Sequence, residues 1–389
     1  MKKKIIFHNG SLRMGGIERV LVEVLQNIDL KKFEIELLIE DEFKEENIFE
    51  KDIPKEIKIT YLRPEWLLQK TKWLRERKKN IFYKIFYNLF IELERQVRNN
   101  NLNKFLKTTQ AEVLVDFDMG LNKVAHKINM RKIAWIHASI NNWYEEKNKI
   151  ERLGKRLKNY DKIVTICDEM KKETIELYPF LEDKIVRIYN PFNFYRIKTL
   201  SENIEEITNE QNKLYEDDYF ISVMRLTTKQ KDFFTLLKAY KKLIKSGRKE
   251  KLLIFGDGPD KNQIEKMIKE LNLEKKALLM GSVKNPYPWI KNAKLFVHSS
   301  KYEGLPTVLI EAMILRKVIV SSDCPTGPKE ILDNGKCGVL VKIGDVEDLV
   351  RCIEYAIKNK NEYLRKLERR VEEFNSKNVI KEYEEIIMV

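Results

Sequence analysis

The chain has 389 residues, 43% hydrophobic and 34% charged, with a formal net charge of +14, and its length allows two domains of ordinary size. No stretch reaches the ~20 apolar residues of a bilayer span, and the N-terminal run meets charge and glycine too early for a secretory signal, so a cytoplasmic protein is expected. Cys167, Cys324, Cys337 and Cys352 show neither C-x-x-C spacing nor a histidine partner, which predicts reduced, mostly buried thiols rather than zinc ligands or disulfides.

In chain order, KKIIFHN reads as a strand and SLRMGG as a loop. A helix over Ile17–Ile28 follows, with Val20, Leu21, Val24, Leu25 and Ile28 on one face, and EIELLIE is a second strand. Gly15 and Gly16 let the loop bring backbone N–H groups to a phosphate or an acceptor, while Glu18 and Arg19 open the helix. Between Trp66 and Lys107 there are eleven lysines and arginines against three glutamates, interleaved with Trp66, Trp73, Phe82, Tyr83, Phe86, Tyr87, Phe90 and Phe105. Ile81, Phe82, Ile85, Phe86, Leu89, Phe90 and Leu93 fall at helical spacing, which suits either the core face of a first domain or a helix lying on an anionic membrane surface. Basic and aromatic residues also interleave in single-strand binders, but no RRM, KH or zinc-finger pattern is present and no nucleic-acid partner is expected.

Further strands are predicted at 57–62, 112–118, 132–138, 162–168 and 184–190, with helices between. His137 ends the strand IAWIHA and is a candidate for function, whereas His126 and His298 are read as structural. Asp116 and Asp118 could hold a divalent metal, but cations further along would duplicate its work, so they are read as strand-end residues and no essential metal or other cofactor is expected. Residues 196–217 are polar, acidic and poor in strand signals. They set a linker at 193–217 between a first domain, 1–192, and a second, 218–365, with a helical tail at 366–389.

In the second domain strands at 219–226, 251–257, 277–283, 295–300, 318–323 and 337–342 alternate with helices. Such alternation predicts a parallel sheet covered on both faces, twice over. In open parallel sheets ligands sit beyond the carboxyl ends of the strands. The loops SLRMGGIER, RLTTKQKD, GDGPDK, GSVKNP, KYEGLPT and the turn after IAWIHA all lie at such ends, which predicts a site in a cleft between two domains.

The most informative loop is KYEGLPTVLIEAMILR, residues 301–316. Glu303 falls in the loop and Glu311 about one turn into a helix that begins near Pro306 and Thr307, where no backbone donor is lost to proline. A helix N-terminus is a seat for phosphate, and a carboxylate on each side of it can accept from hydroxyls. A nucleotide sugar has that chemistry: hydroxyls on both sides of a diphosphate. Arg225 and Lys231, at a strand end and a helix start, could neutralise the diphosphate and the charge that builds on it as the glycosidic bond breaks.

Together EGLPTVLIEA, MRLTTKQKD, MGGIER and GDGP resemble the retaining glycosyltransferases of family 4, over nearly the whole chain and most strongly in 219–342. The resemblance implies the GT-B architecture, two Rossmann-like doubly wound domains facing a cleft, with a C-terminal helix crossing back to the first. It also implies metal-independent transfer of a hexose or N-acetylhexosamine from a nucleotide sugar, usually UDP-linked, with retention. Carried over residue by residue, Arg225 and Lys231 are the diphosphate ligands, Glu311 the ribose ligand and Glu303 a contact to the donor sugar. Gly304, Leu305, Pro306 and Thr307 line the sugar and phosphate, Gly281 and Val283 meet the base, and Gly256 belongs to the GDGP loop. Gly15 and Gly16 match the N-terminal phosphate loop, and His137 the histidine near the donor sugar. Met224 stands where the family has glycine, and Lys231 lies one residue late, which leaves Lys229 as a substitute. SSDCPTGPKEIL and NPYPWIKNAKLFVHSSKYEGLP are similar to bacterial enzymes of capsule, O-antigen and lipid-linked glycan assembly. They imply a lipid-linked acceptor at the inner face of the membrane, with the segment 66–107 touching anionic lipid. The other readings are a nucleotide-sugar epimerase of the same fold and a non-catalytic basic membrane or nucleic-acid binder.

Overall fold

The computed structural model describes residues 2–144 and 146–389. They divide into two compact units. Unit 1 contains the described residues up to Ile166 together with Lys171–Pro191 and Val379–Val389, and unit 2 contains Cys167–Met170 and Phe192–Asn378.

Unit 1 is built on seven parallel strands: β1 (Lys3–Asn9), β2 (Phe33–Asp41), β3 (Lys58–Arg63), β4 (Val113–Asp116), β5 (Arg131–Ile136), β6 (Lys162–Thr165) and β7 (Ile185–Arg187). They lie in the order β3-β2-β1-β4-β5-β6-β7. In β2 the side chains of Phe33 and Ile35 turn inward and Glu34 outward, after which Leu37 to Glu40 are all buried, the mark of a strand covered on both faces. Three helices matter below: α1 (Gly16–Asn27), α2 (Glu65–Arg77) and α3 (Ile81–Thr108). The C-terminal helix, Ser376–Met388, closes this unit from Val379 on: Tyr383 stacks on Trp135 at 4.3 Å, Glu384 pairs with Lys32 at 2.7 Å, and Arg131 donates to the Ile387 carbonyl.

Unit 2 has six parallel strands: β8 (Tyr219–Val223), β9 (Lys251–Phe255), β10 (Ala277–Gly281), β11 (Leu295–His298), β12 (Ile319–Ser322) and β13 (Val339–Val341). Their order is β10-β9-β8-β11-β12-β13. Its core gathers Phe220, Leu237, Tyr240, Leu252, Ile254 and Ile353, all but inaccessible to water. Each such side chain contributes on the order of 1.5–3 kcal/mol by leaving water.

The predicted strands are all present, most of them one to three residues shorter than their apolar runs. The stretch read as a linker is different: it forms two helices, Phe194–Glu202 and Asn209–Glu216, and belongs to unit 2. Asn193 caps the first by accepting from the Arg196 N–H, and Thr208 and Gln211 make a reciprocal capping box on the second. Unit 2 also runs on to Asn378, past the expected end at 365.

Strand order reverses between β1 and β4 in unit 1 and between β8 and β11 in unit 2, and loops leaving adjacent strands in opposite directions open a crevice there. The chemistry of both units collects at these two points.

Candidate active site

In unit 2 the reversal point is flanked by the loop after β8, which carries Arg225 to Lys231, and the loop after β11, which carries Ser299 to Pro306. Backbone bonds knit them together: Asp232 donates to Ser299 and Lys301 to Gln230, with Lys231 opposite Ser300 in an antiparallel bridge. The Lys231 N–H closes on the Thr227 carbonyl, which turns its side chain inward. As a result the buried Lys231 ammonium pairs with Glu303 Oε1. Gln230 donates to Glu303 Oε2 at 3.2 Å, and His298 Nε2 lies 3.1 Å from Oε1.

Burial alone would push the Glu303 carboxyl up, but the hydrogen bond from His298 and the charge of Lys231 outweigh it and hold it at about 2. Burial pushes the His298 ring down, its Nε2 faces both Glu303 and the Ser300 hydroxyl at 3.1 Å, and its Nδ1 has no partner among the described residues. Glu303 is therefore an ionised carboxylate gripped from three sides. His298, read as structural from sequence, is one of the groups that hold Glu303. Its signal was positional, five residues before the glutamate at the end of a strand.

Just beyond, Gly304 to Pro306 lead into the helix Thr307–Ile314, with Leu305 and Pro306 buried and no side chain capping the N-terminus. The N–H groups of Gly304, Leu305, Thr307 and Val308 meet no acceptor among the described residues. Glu311 lies in the second turn, half-buried, accepting from the Tyr287 hydroxyl at 3.3 Å. Arg225 is exposed, and no hydrogen bond or ion pair with the described residues holds its guanidinium. Lys229 is also exposed. Sequence reasoning placed Arg225 and Lys231 on one ligand; the structure engages Lys231 with Glu303 and leaves Arg225 as the open cation.

Gly256 has φ +134°, and a Cβ there would meet the Met224 carbonyl oxygen at 2.0 Å, so this loop accepts glycine only. Its N–H donates to the carbonyl of Gly281, itself at φ +75°, which joins the GDGP loop to the loop expected to meet the base. Val283 follows, half-buried.

In unit 1 the reversal point holds a group that sequence reasoning passed over. His8 on β1 is in register with Asp116 on β4 and is fully buried. Its Nδ1 lies 2.9 Å from Asp116 and 3.5 Å from Asp118, and its Nε2 3.2 Å from Glu40. Arg98 forks onto Glu40, and the Tyr160 hydroxyl donates to Asp116. Burial would lower the ring's pKa, but the bonds to Asp116 and Glu40 prevail and raise it to about 10. One ring nitrogen of His8 and one carboxylate oxygen each of Asp116 and Asp118 lie within 4.8 Å of one another, close enough for a metal ion. His8, Asp116, Glu40 and Arg98 form a buried ion-pair network.

Gly15 precedes α1 with extended backbone, and a Cβ on Gly16 would meet nothing within 4 Å. A Cβ on Gly15 would meet the Glu18 carboxylate at 2.0 Å, so of the two only Gly16 is free of steric demand, and both present bare backbone at a helix start. His137 follows β5, its ring 4.7 Å from Phe117; burial pushes it down to about 3, and Nε2 has no partner among the described residues.

Residues 203–374 match the family described as Glycosyl transferases group 1. A Campylobacter jejuni protein named N-acetylgalactosamine-N,N'-diacetylbacillosaminyl-diphospho-undecaprenol 4-alpha-N-acetylgalactosaminyltransferase is 25% identical over 380 residues, 96% of each chain. An uncharacterized glycosyltransferase of Methanocaldococcus jannaschii is 33% identical over 218 residues, 54% of this chain and 53% of that protein. In structure the chain is similar to Anabaena HepE, crystallised with UDP, at a TM-score of 0.77 and 14% identity over 99% of both chains. Residues 203–374 are thus similar to the glycosyl transferases group 1 family, and the chain as a whole has the GT-B fold of its structural neighbours.

Proposed function

We propose that the protein is a retaining glycosyltransferase that moves a hexose or N-acetylhexosamine from a UDP-sugar to a lipid-linked glycan or other surface polysaccharide precursor, without a bound metal, at the cytoplasmic face of the membrane. The observation that carries this reading is the gripped Glu303 at the reversal point of unit 2, next to a helix N-terminus with open N–H groups and Glu311 one turn further on. The open N–H groups and the Arg225 guanidinium take the diphosphate, Glu311 takes the ribose, and the backbone at Gly281 and Val283 meets the base. In unit 1, Gly15 and Gly16 offer backbone N–H groups to a phosphate or an acceptor, and His137 Nε2 is open to a sugar hydroxyl.

In the reaction the bond from the anomeric carbon to the β-phosphate oxygen breaks and the acceptor oxygen bonds to the same face of that carbon. The acceptor's proton passes to the leaving phosphate. Glu303, ionised and held on both oxygens, supports the positive charge that develops on the sugar rather than attacking it; Arg225 supports the negative charge on the phosphate. The Campylobacter relative is named for an acceptor on diphospho-undecaprenol, and HepE was crystallised with UDP, which support these choices of acceptor and donor.

The test is nucleotide release and thermal shift against UDP-, GDP- and ADP-sugars, followed by NMR assignment of the anomeric configuration in the product. Binding of UDP-sugars with α-to-α transfer is expected. Inversion would overturn the mechanism, and rapid acceptor-free conversion of the donor would replace transfer by epimerisation.

A further inference from the structure

One face of unit 1 is not used by this chemistry. The sequence allowed the apolar stripe of α3 to be core, but only Glu94 and Leu102 of the helix's 28 residues are buried. Ile81, Phe82, Ile85, Phe86, Leu89 and Leu93 are between 37% and 69% exposed. They recur three and four residues apart and so share one face of a segment about 20 Å long. Trp66 and Trp73 on α2 are exposed as well, and Trp73 meets Tyr83 edge-on at 5.5 Å, which ties the two helices together. Around them Lys70, Lys72, Arg75, Arg77, Lys78, Lys79 and Lys84 are all exposed, against Glu76 as the lone acid between Lys70 and Lys84. Arg77 and Lys70 lie over the Trp73 ring at 4.3 and 4.8 Å.

We propose that α2 and the N-terminal half of α3 dock on an anionic lipid bilayer, with the stripe entering the headgroup boundary and the seven cations facing lipid phosphates. Charge decides the occupant. A second copy of the chain placed on this face by two-fold symmetry would set the same seven cations against themselves. An anionic bilayer offers opposite charge to the cations, an apolar phase to the stripe and an interface to the tryptophans. Among the described residues no helix is long and apolar enough to cross a membrane, so this face lies on the bilayer and does not span it. The proposal does not depend on the glycosyl-transfer reading.

The test is co-flotation of the full chain with phosphatidylcholine vesicles, with and without phosphatidylglycerol, at low and high salt. The wild type is expected to float with the anionic vesicles and to lose part of that binding at high salt. Phe82→Glu with Phe86→Glu is expected to lower partitioning by about tenfold or more per ring. Lys78→Gln with Lys79→Gln is expected to lower it by roughly fivefold per charge. All four side chains are exposed, and a melting curve for each variant checks folding. UDP-sugar binding, read separately, is expected to be unchanged. Failure of the wild type to float with either vesicle would overturn the proposal, as would full binding by the Phe82→Glu, Phe86→Glu variant. A solution dimer that this variant dissociates would assign the face to a second copy instead.

Discussion

Lys231→Met separates the two things that Lys231 does. The thioether keeps most of the stem's volume and removes the charge that pairs with Glu303 in a buried setting. Removing one partner of a buried pair costs about 3–5 kcal/mol, because the other charge stays behind uncompensated. His298 and Gln230 still reach Glu303, at 3.1 and 3.2 Å, which places the expectation near the low end, about 3 kcal/mol. Glu303→Gln leaves the ammonium buried and should cost a similar amount. The double variant leaves no buried charge, so its loss should fall short of the sum of the single losses by at least about 1 kcal/mol. Hydrogen exchange at β8 and β11 amides under increasing urea reads this locally, as a single melting curve for a two-unit chain does not. The wild-type pair has a pH signature too. Because the folded pKa of Glu303 is lowered to about 2, its stabilisation is complete above the ordinary value of 4.5 and is lost as pH falls toward 2. In Lys231→Met that loss begins at higher pH. Single losses that add within about 0.5 kcal/mol in the double variant would refute the coupling on which the site is built.

His8 has the opposite sign: its folded pKa is raised to about 10, so its stabilisation is full below 6.5 and is lost as pH rises through 10. Exchange protection in β1 and β4 should fall across that window in the wild type and change little in His8→Gln; a flat wild-type profile would contradict the imidazolium assignment. Arg225→Ala should lower turnover by about a hundredfold or more while stability stays within about 0.5 kcal/mol, since the side chain is exposed; near-normal turnover in steady-state UDP release would remove it from the phosphate site. Dialysis against chelator should leave turnover unchanged, and loss that only a divalent ion restores would send attention back to Asp116 and Asp118.

Alternation of strands and helices made both sheets legible, and the passage from LFVHSS into a helix near Pro306 put Glu303 in a loop and Glu311 in the following helix before any coordinates. Strand order was not legible, since a parallel sheet does not record in its sequence which strand lies beside which. That is why His8 was missed: its partner Asp116 is 108 residues away, and the two meet only because β1 and β4 are neighbours. The helices at 194–202 and 209–216 were hidden by composition, although Asn193 and the Thr208–Gln211 pair are capping signals that a closer reading would have used. The stripe of α3 had the right period, but periodicity tells which residues share a face and not what covers it.

The two reversal points solve the same electrostatic problem with opposite signs. In unit 1 a buried cation, His8, is enclosed by Asp116, Glu40 and Asp118; in unit 2 a buried anion, Glu303, is enclosed by Lys231, His298 and Gln230. Neutralising Glu303 has a consequence for the ligand. Left alone, its carboxylate would repel a diphosphate arriving at the neighbouring helix N-terminus. Paired with Lys231, it adds little net field, and Arg225 and the open N–H groups of the helix Thr307–Ile314 add positive charge at that end of the sheet. A carboxylate positioned for a sugar can then stand beside a seat for phosphate, provided that the lysine stays with it.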